Sequence, residues 1–261
     1  MQSSNPVLSR AGAFGGGAGL GAQTASASQL QDMYDQPTYV APAGARMTID
    51  DVVAKTAMLL VVLVATATAA WTLDLGIPIM IGAALVGFGL ALVNSFKKVV
   101  SPPLVIAYAA VEGVFLGILS NVLASAFPGI ALQAVLGTSA TFAVMLALYK
   151  SGRVRATPKF RKVMLGMTGG YMVFLLINLG FNAFGGNGIN LWERGLLSFA
   201  ISIFAVGLAS FFLILDFDII EKGVAAGVPE RESWRAAFGL MVTLIWLYIE
   251  MLRLIAILRG D

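Results

Sequence analysis

The sequence lacks cysteine and histidine entirely, and only 12% of its 261 residues are charged. The missing cysteines exclude disulfides, thiolate metal sites and cysteine nucleophiles. The missing histidines exclude imidazole ligands and the side chain that usually senses pH near neutrality. Because the chain has neither histidine nor cysteine, any pH sensing must use carboxylates. Soluble domains carry about 25% charged residues, so the composition does not indicate a soluble domain.

The residues that are present are mostly apolar, with 58% hydrophobic residues and a mean hydropathy of +0.86. From residue 47 onward, apolar runs of about 20 residues recur, each long enough to cross about 30 Å of hydrocarbon as a helix. The predicted spans are 52–73, 77–96, 103–127, 130–149, 163–184, 196–220 and 238–258. The sequence therefore predicts an all-α polytopic membrane protein with seven transmembrane helices in a lipid bilayer.

The first 46 residues differ from the rest, because they are rich in Gly, Ala, Ser and Gln. We predict that residues 1–46 form a disordered cytoplasmic tail and that residues 47–261 form the transmembrane domain. Thr48 is expected to cap the first helix, since Asp50 and Asp51 follow it at the positive end of the helix dipole.

Basic residues indicate the orientation. Of the 17 Lys and Arg residues, 14 lie in the tail, at the entry to the first helix or in loops two-three, four-five and six-seven. Only Arg194 and Arg259 lie on the opposite side. The positive-inside rule then predicts a cytoplasmic N-terminus and an outside C-terminus. We expect the membrane to be a plasma (inner) membrane. The net charge of +3 is small, so the sequence does not indicate nucleic-acid binding.

Three acids lie inside or at the mouth of apolar runs: Glu112, Asp216 and Glu250. An ionisable group in hydrocarbon costs several kcal/mol, so each is a candidate functional residue. Glu112 has no basic residue within one turn and must be protonated, paired across helices or facing water, which makes it a candidate pore residue. Gly113 and Gly117 form a GxxxG pair that predicts close packing against a neighbouring helix.

The spacing of the acids from one another and from basic residues indicates which of them form ion pairs within a helix. Asp216 and Asp218 point to nearly opposite faces of a helix, so they cannot share a role. Asp218 has Lys222 one turn later, which predicts an ion pair near the surface and leaves Asp216 to face the interior. Arg253 follows Glu250 by three residues, so an intrahelical ion pair competes with a functional role for Glu250. Asp218 and Arg253 are auxiliary candidates.

Three blocks of sequence resemble the Bax inhibitor-1 family of seven-span membrane proteins. They are residues 112–120, the Leu215, Asp216 pair, and Leu247, Tyr248, Ile249, Glu250 with Arg253 downstream. The resemblance covers roughly residues 50–258. It implies a pH-sensitive calcium leak channel in which two acids on the last two spans share a hydrogen bond that controls opening. By motif those acids are Asp216 and Glu250, although the second is Glu where the family has Asp.

We call the hydrogen-bonded pair of Asp216 and Glu250 the latch. Whether the two side chains can meet depends on where the sixth helix ends and the seventh begins. Two carboxylates close together in low dielectric resist double ionisation, so one shared proton could join them and its loss could open a path. If helix six continues to about Lys222 and helix seven begins near Met241, the two acids lie at similar depths and meet. If helix seven begins at Trp234, the mismatch grows to roughly 15 Å and the latch fails.

Calcium suits the ligands that this chain offers, because Ca²⁺ prefers carboxylate, carbonyl and hydroxyl oxygens. A leak pathway needs weak sites, so we expect transient calcium at Asp216 and Glu250 and no tightly bound cofactor.

Two other classes compete with the channel. Bacterial relatives are thought to modulate a membrane-bound protease, and the basic loop from Lys150 to Lys162 or the tail could bind such a partner. An intramembrane aspartyl protease is disfavoured because its glycine-aspartate motif is missing around Glu250, so we expect no enzyme activity. The sequence leaves the oligomeric state open.

Overall fold

A computed structural model describes residues 45–186, 188–193 and 195–260. Within these residues the secondary structure is helical, apart from turns and one isolated bridge between Arg46 and Pro229. The seven long helices are α1 (Ile49–Thr72), α2 (Ile77–Phe96), α3 (Pro102–Ala126), α4 (Ile130–Lys150), α5 (Pro158–Ala183), α6 (Leu196–Ala225) and α7 (Ser233–Arg259). Each is long and apolar enough to cross a membrane. The predicted all-α fold with seven spans is confirmed.

The helix starts follow local chemistry. Thr48 and Asp51 form a capping box at α1, in which the Thr48 hydroxyl accepts from the Asp51 amide at 3.1 Å and Asp51 accepts from the Thr48 amide at 2.9 Å. Prolines stand in the first turn of α2, α3 and α5, where a missing amide hydrogen leaves no carbonyl without its bond. The predicted cap at Thr48 is therefore correct.

Three predicted helix ends are wrong by five residues. Helix α5 begins at Pro158 rather than 163, α6 ends at Ala225 rather than 220, and α7 begins at Ser233 rather than 238. A helix end predicted from hydropathy falls at the first polar residues, because the apolar run ends there. The helix itself continues, because its backbone hydrogen bonds do not require apolar side chains. The connection from α6 to α7, which looks long in sequence, is residues 226–229 and a short 3₁₀ helix, Glu230–Glu232.

One end of the bundle carries the α2–α3, α4–α5 and α6–α7 connections, and we name it the basic end. Arg231 Nε donates to the Val100 carbonyl at 2.9 Å, which ties two of these connections together. Met47 pairs with Val228 through a 2.9 Å backbone hydrogen bond. Arg46, which was predicted to lie in the tail, is attached to the α6–α7 connection through its bridge with Pro229. The rest of the predicted tail, residues 1–44, lies outside the described residues, as does Arg194.

Helix α7 occupies the middle of the bundle, where it packs on α1, α3, α4 and α6. Helix α3 packs on α1 and also on α2, whereas α5 packs mainly on α6. Gly113 and Gly117 allow the α1–α3 contact, because a Cβ at either position would collide with the backbone of Leu63 or Ala67 on α1. The outer faces carry large apolar side chains such as Leu85 and Phe88, as a lipid-facing surface requires.

Candidate functional site

Asp216 lies on the face of α6 that meets α7. Its Oδ1 atom is 3.9 Å from the position that a Cβ would take at Gly239, whose carbonyl accepts a 3.3 Å hydrogen bond from the Thr243 hydroxyl on the same helix. Its Oδ2 atom is buried and has no hydrogen-bond partner within the described residues. Asp216 also joins none of the ion pairs that this part of the chain contains. The structure therefore holds a carboxyl group inside the bundle without a cation to balance it.

Glu250 has a different environment. Its Oε2 atom forms a 2.6 Å ion pair with Arg253 Nη2, and its Oε1 atom accepts hydrogen bonds from the Tyr171 hydroxyl at 2.9 Å and Trp246 Nε1 at 3.2 Å. Both guanidinium Nη atoms also donate to the Tyr171 oxygen at 3.2 Å. Glu250, Arg253 and Tyr171 are all buried, at 3%, 5% and 5% exposure. Glu250, Arg253, Tyr171 and Trp246 are named the Glu250 cluster.

The two acids of the predicted latch do not meet. Because α6 ends at Ala225 and α7 begins at Ser233, Asp216 lies about 14 Å and Glu250 about 26 Å along their helices from the basic end. The carboxyls are offset by about 12 Å along the bundle. In this structure the two carboxyls are therefore too far apart to share a proton directly. The physical reason is the early start of α7, the condition under which the pair was expected to fail.

Asp218 forms the ion pair that its spacing predicts, with Lys222 Nζ 2.6 Å from Oδ2. The same oxygen is 2.9 Å from Arg161 Nη2 on α5, a contact that the sequence did not indicate. Near it, Glu221 binds the Tyr149 hydroxyl and lies 3.2 Å from Arg155. These pairs join α6 to α4, α5 and the connection between them at the basic end.

Glu112 lies at the interface between α3 and α2. A Cβ at Gly87 would come within 2.6 Å of Glu112 Oε1, so α2 approaches the carboxyl where it has no side chain. Tyr108, one turn earlier, is within hydrogen-bonding reach. Helix α2 packs on α3 and has no comparable contact with α6 or α7. Tyr108 also packs edge-on against Phe238 of α7, with ring centroids 5.1 Å apart, so Glu112 is connected through Tyr108 to the part of α7 that faces Asp216.

Sequence reasoning missed Tyr171 and Trp246, which complete the hydrogen bonds of Glu250. Both lie in apolar runs, where an aromatic side chain is usually interpreted as a packing residue. The sequence does carry one indication of their role, because a phenol or indole in hydrocarbon needs a polar partner. Tyr171 also stacks on Trp246, with ring centroids 6.3 Å apart.

The acids do not assemble into a multidentate metal site. Across the described residues, no three acidic side chains gather closely enough to hold an ion. Asp216 and Glu250 cannot share one calcium at their present offset.

The fold and these sites define a class: a seven-helix membrane protein with ionisable groups enclosed in its bundle. A sequence model of the family described as Bax inhibitor 1 like matches residues 5–260. The chain belongs to this family. The match extends beyond residues 50–258, where the resemblance was expected, into the N-terminal segment. A search of curated proteins found no match.

Proposed function

We propose that this protein is a pH-sensitive cation leak pathway across a membrane, with calcium as the candidate permeant ion. The observation that carries the proposal is Asp216, a carboxyl whose Oδ2 atom is buried among helices and has no hydrogen-bond partner among the residues that the structure describes. Such a group costs free energy and returns no structural stabilisation, unlike an acid in an ion pair. Its retention inside the bundle is explained if a proton or a cation occupies it in turn.

Asp216 replaces the carboxylate pair as the pH-responsive element. When the Asp216 carboxyl is neutral, α6 stays packed against Gly239 and Thr243 on α7 and the pathway is closed. When the carboxyl is ionised, it attracts water or a cation, and these two small residues leave room for either. Calcium fits because it binds oxygen ligands and exchanges readily at sites with few of them.

The Glu250 cluster has a separate role in this proposal. Arg253 already balances the charge of Glu250, and Tyr171 links both to α5. The cluster therefore holds α5 against α7 and closes the pathway beyond Asp216. We place the basic end on the cytoplasmic side of a plasma (inner) membrane, in accordance with the distribution of Lys and Arg.

The test is calcium flux into liposomes that contain the purified protein, measured across a pH series. The variant Asp216→Asn fixes a neutral side chain of the same size and is expected to remove the pH response. Asp218→Asn is the matched control, since it changes an acid on the same helix whose charge is balanced by Arg161 and Lys222. It should keep the pH response.

Two further variants complete the flux test. Glu250→Gln is expected to change the amount of flux and to leave its pH response. Glu112→Gln tests whether the α2–α3 interface contributes to the pathway. An unaltered pH response in Asp216→Asn would reject Asp216 as the sensor, and no flux through the intact protein would reject the channel.

A second candidate function is regulation of a membrane partner such as a protease. The observation that favours it lies in the α4–α5 connection and the first five residues of α5, where Arg153, Lys159 and Lys162 are exposed. They form a basic surface to which an acidic partner could bind. Charge reversal of these three residues should abolish partner capture while calcium flux persists. We propose no catalytic role, because Asp216 and Glu250 are too far apart to act together as acid and base.

A further inference from the structure

A long apolar groove runs along the outside of the bundle between α1 and α4. Its floor is formed by α3 and α7, with Gly117 and Leu244 among the lining residues, and its volume is about 920 Å³. On α1 the lining extends from Val53 to Trp71, which is about 27 Å at 1.5 Å per residue. That length nearly equals the hydrocarbon thickness of a bilayer, about 30 Å.

The lining of the groove is mostly apolar, and the groove is open along one side. An extended hydrocarbon chain matches both this apolar lining and the length of the groove.

A buried hydroxyl marks one end of the groove. Thr56 lines the groove, is 6% exposed, and its Oγ1 atom has no hydrogen-bond partner in the described part of the chain. It lies three residues, or about 4.5 Å, deeper than Val53 at the groove's end. The ester carbonyls of a phospholipid occupy this level, just below the headgroup, and could accept a hydrogen bond from the hydroxyl.

Opposite charges stand at the same end. Asp50 precedes Val53 by three residues and Lys150 follows the groove-lining Leu146 by four, so each continues its helix face toward the polar region. Both are exposed. An ammonium group could pair with Asp50 and a phosphate with Lys150. This combination suits a zwitterionic headgroup better than an anionic one.

We propose that the groove between α1 and α4 binds a zwitterionic phospholipid, with an acyl chain along the groove and an ester carbonyl at Thr56. The lipid satisfies the Thr56 hydroxyl and covers the α1–α4 gap. This site is independent of Asp216 and of the proposed ion pathway.

The test uses full-length protein reconstituted in vesicles of equal parts phosphatidylethanolamine and phosphatidylglycerol. The protein is extracted in mild detergent, and native mass spectrometry counts the lipids that remain bound. We expect one retained phosphatidylethanolamine on the unaltered protein. Ala57→Phe fills the groove and should lower its occupancy roughly tenfold. Ala65→Phe, the same change on an exposed position of α1 that does not line the groove, should retain the lipid.

The polar contact is tested with two isosteric changes. Thr56→Val should weaken phosphatidylethanolamine retention, whereas Thr138→Val should not, because Thr138 lies on the α4 wall about 12 Å deeper than Leu146. The proposal is overturned if no phospholipid is retained, if Ala57→Phe and Ala65→Phe behave alike, or if phosphatidylglycerol alone remains bound. It is also overturned if the groove change instead dissociates a protein dimer, or if the two threonine changes have equal effects.

Discussion

Removing Arg253 should destabilise the protein more than removing both members of its ion pair. In Arg253→Met, Glu250 remains buried with hydrogen bonds from Tyr171 and Trp246 but without its cation. Methionine preserves the unbranched apolar part of the arginine side chain. The change therefore isolates the loss of the charge and its hydrogen bonds.

The expected magnitude follows from burial. Glu250 and Arg253 are 3% and 5% exposed, so solvent cannot replace the lost partner. Breaking a buried pair on one side costs about 3–5 kcal/mol, which is a roughly 100- to 4,000-fold change in the unfolding equilibrium. Replacing both charges by neutral groups is often nearly neutral, so Glu250→Gln with Arg253→Met should recover most of that loss.

The assay is equilibrium unfolding in mixed micelles of increasing denaturing detergent, applied to the unaltered protein, both single variants and the double variant. The cycle gives the coupling free energy between the two residues. An Arg253→Met variant within about 1 kcal/mol of the unaltered protein would refute the reasoning, since it would mean that the pair is not desolvated as its burial indicates.

Three further changes test other parts of the structure. Gly113→Ala should destabilise by about 1–3 kcal/mol in the same unfolding assay, because its Cβ collides with α1, whereas Gly166→Ala on α5 meets nothing within 4 Å and should not. Tyr171→Phe removes the hydroxyl that bridges Glu250 and Arg253 and should cost about 1–3 kcal/mol, with loosening of α5 detectable by faster proteolysis or hydrogen exchange. Lys55→Met loses contacts with the Glu230 carboxylate at 3.0 Å and with the Ser233 hydroxyl at 2.6 Å. It should lower the free energy of unfolding by about 1–2 kcal/mol. An unchanged free energy of unfolding would show that these contacts are exposed to water.

The number of helices and most of their bounds could be predicted because apolar length alone determines what can cross a bilayer. The cap at Thr48 and the proline starts depend on adjacent residues, so they too are visible in sequence. The extra turns of α5, α6 and α7 were missed because they contain charged residues such as Lys159 and Glu221. Hydropathy measures preference for hydrocarbon, whereas these turns are held by contacts between helices.

The site was only partly predictable for the same reason. The pairings of Asp218 with Lys222 and of Glu250 with Arg253 follow from spacing along one helix. The contact of Tyr171 with Glu250 joins residues 79 positions apart, and no local pattern indicates it. The offset between Asp216 and Glu250 depends on the exact start of α7, where an error of five residues moves a side chain by about 7 Å.

The central claim is that the Asp216 carboxyl itself exchanges a proton as the pathway opens and closes. Infrared difference spectroscopy of the reconstituted protein across pH measures this directly, through the carboxyl stretching band. We predict that a band absent from Asp216→Asn changes over the same pH interval as calcium flux. A band that persists in Asp216→Asn, or that changes over a different interval from the flux, would contradict the claim.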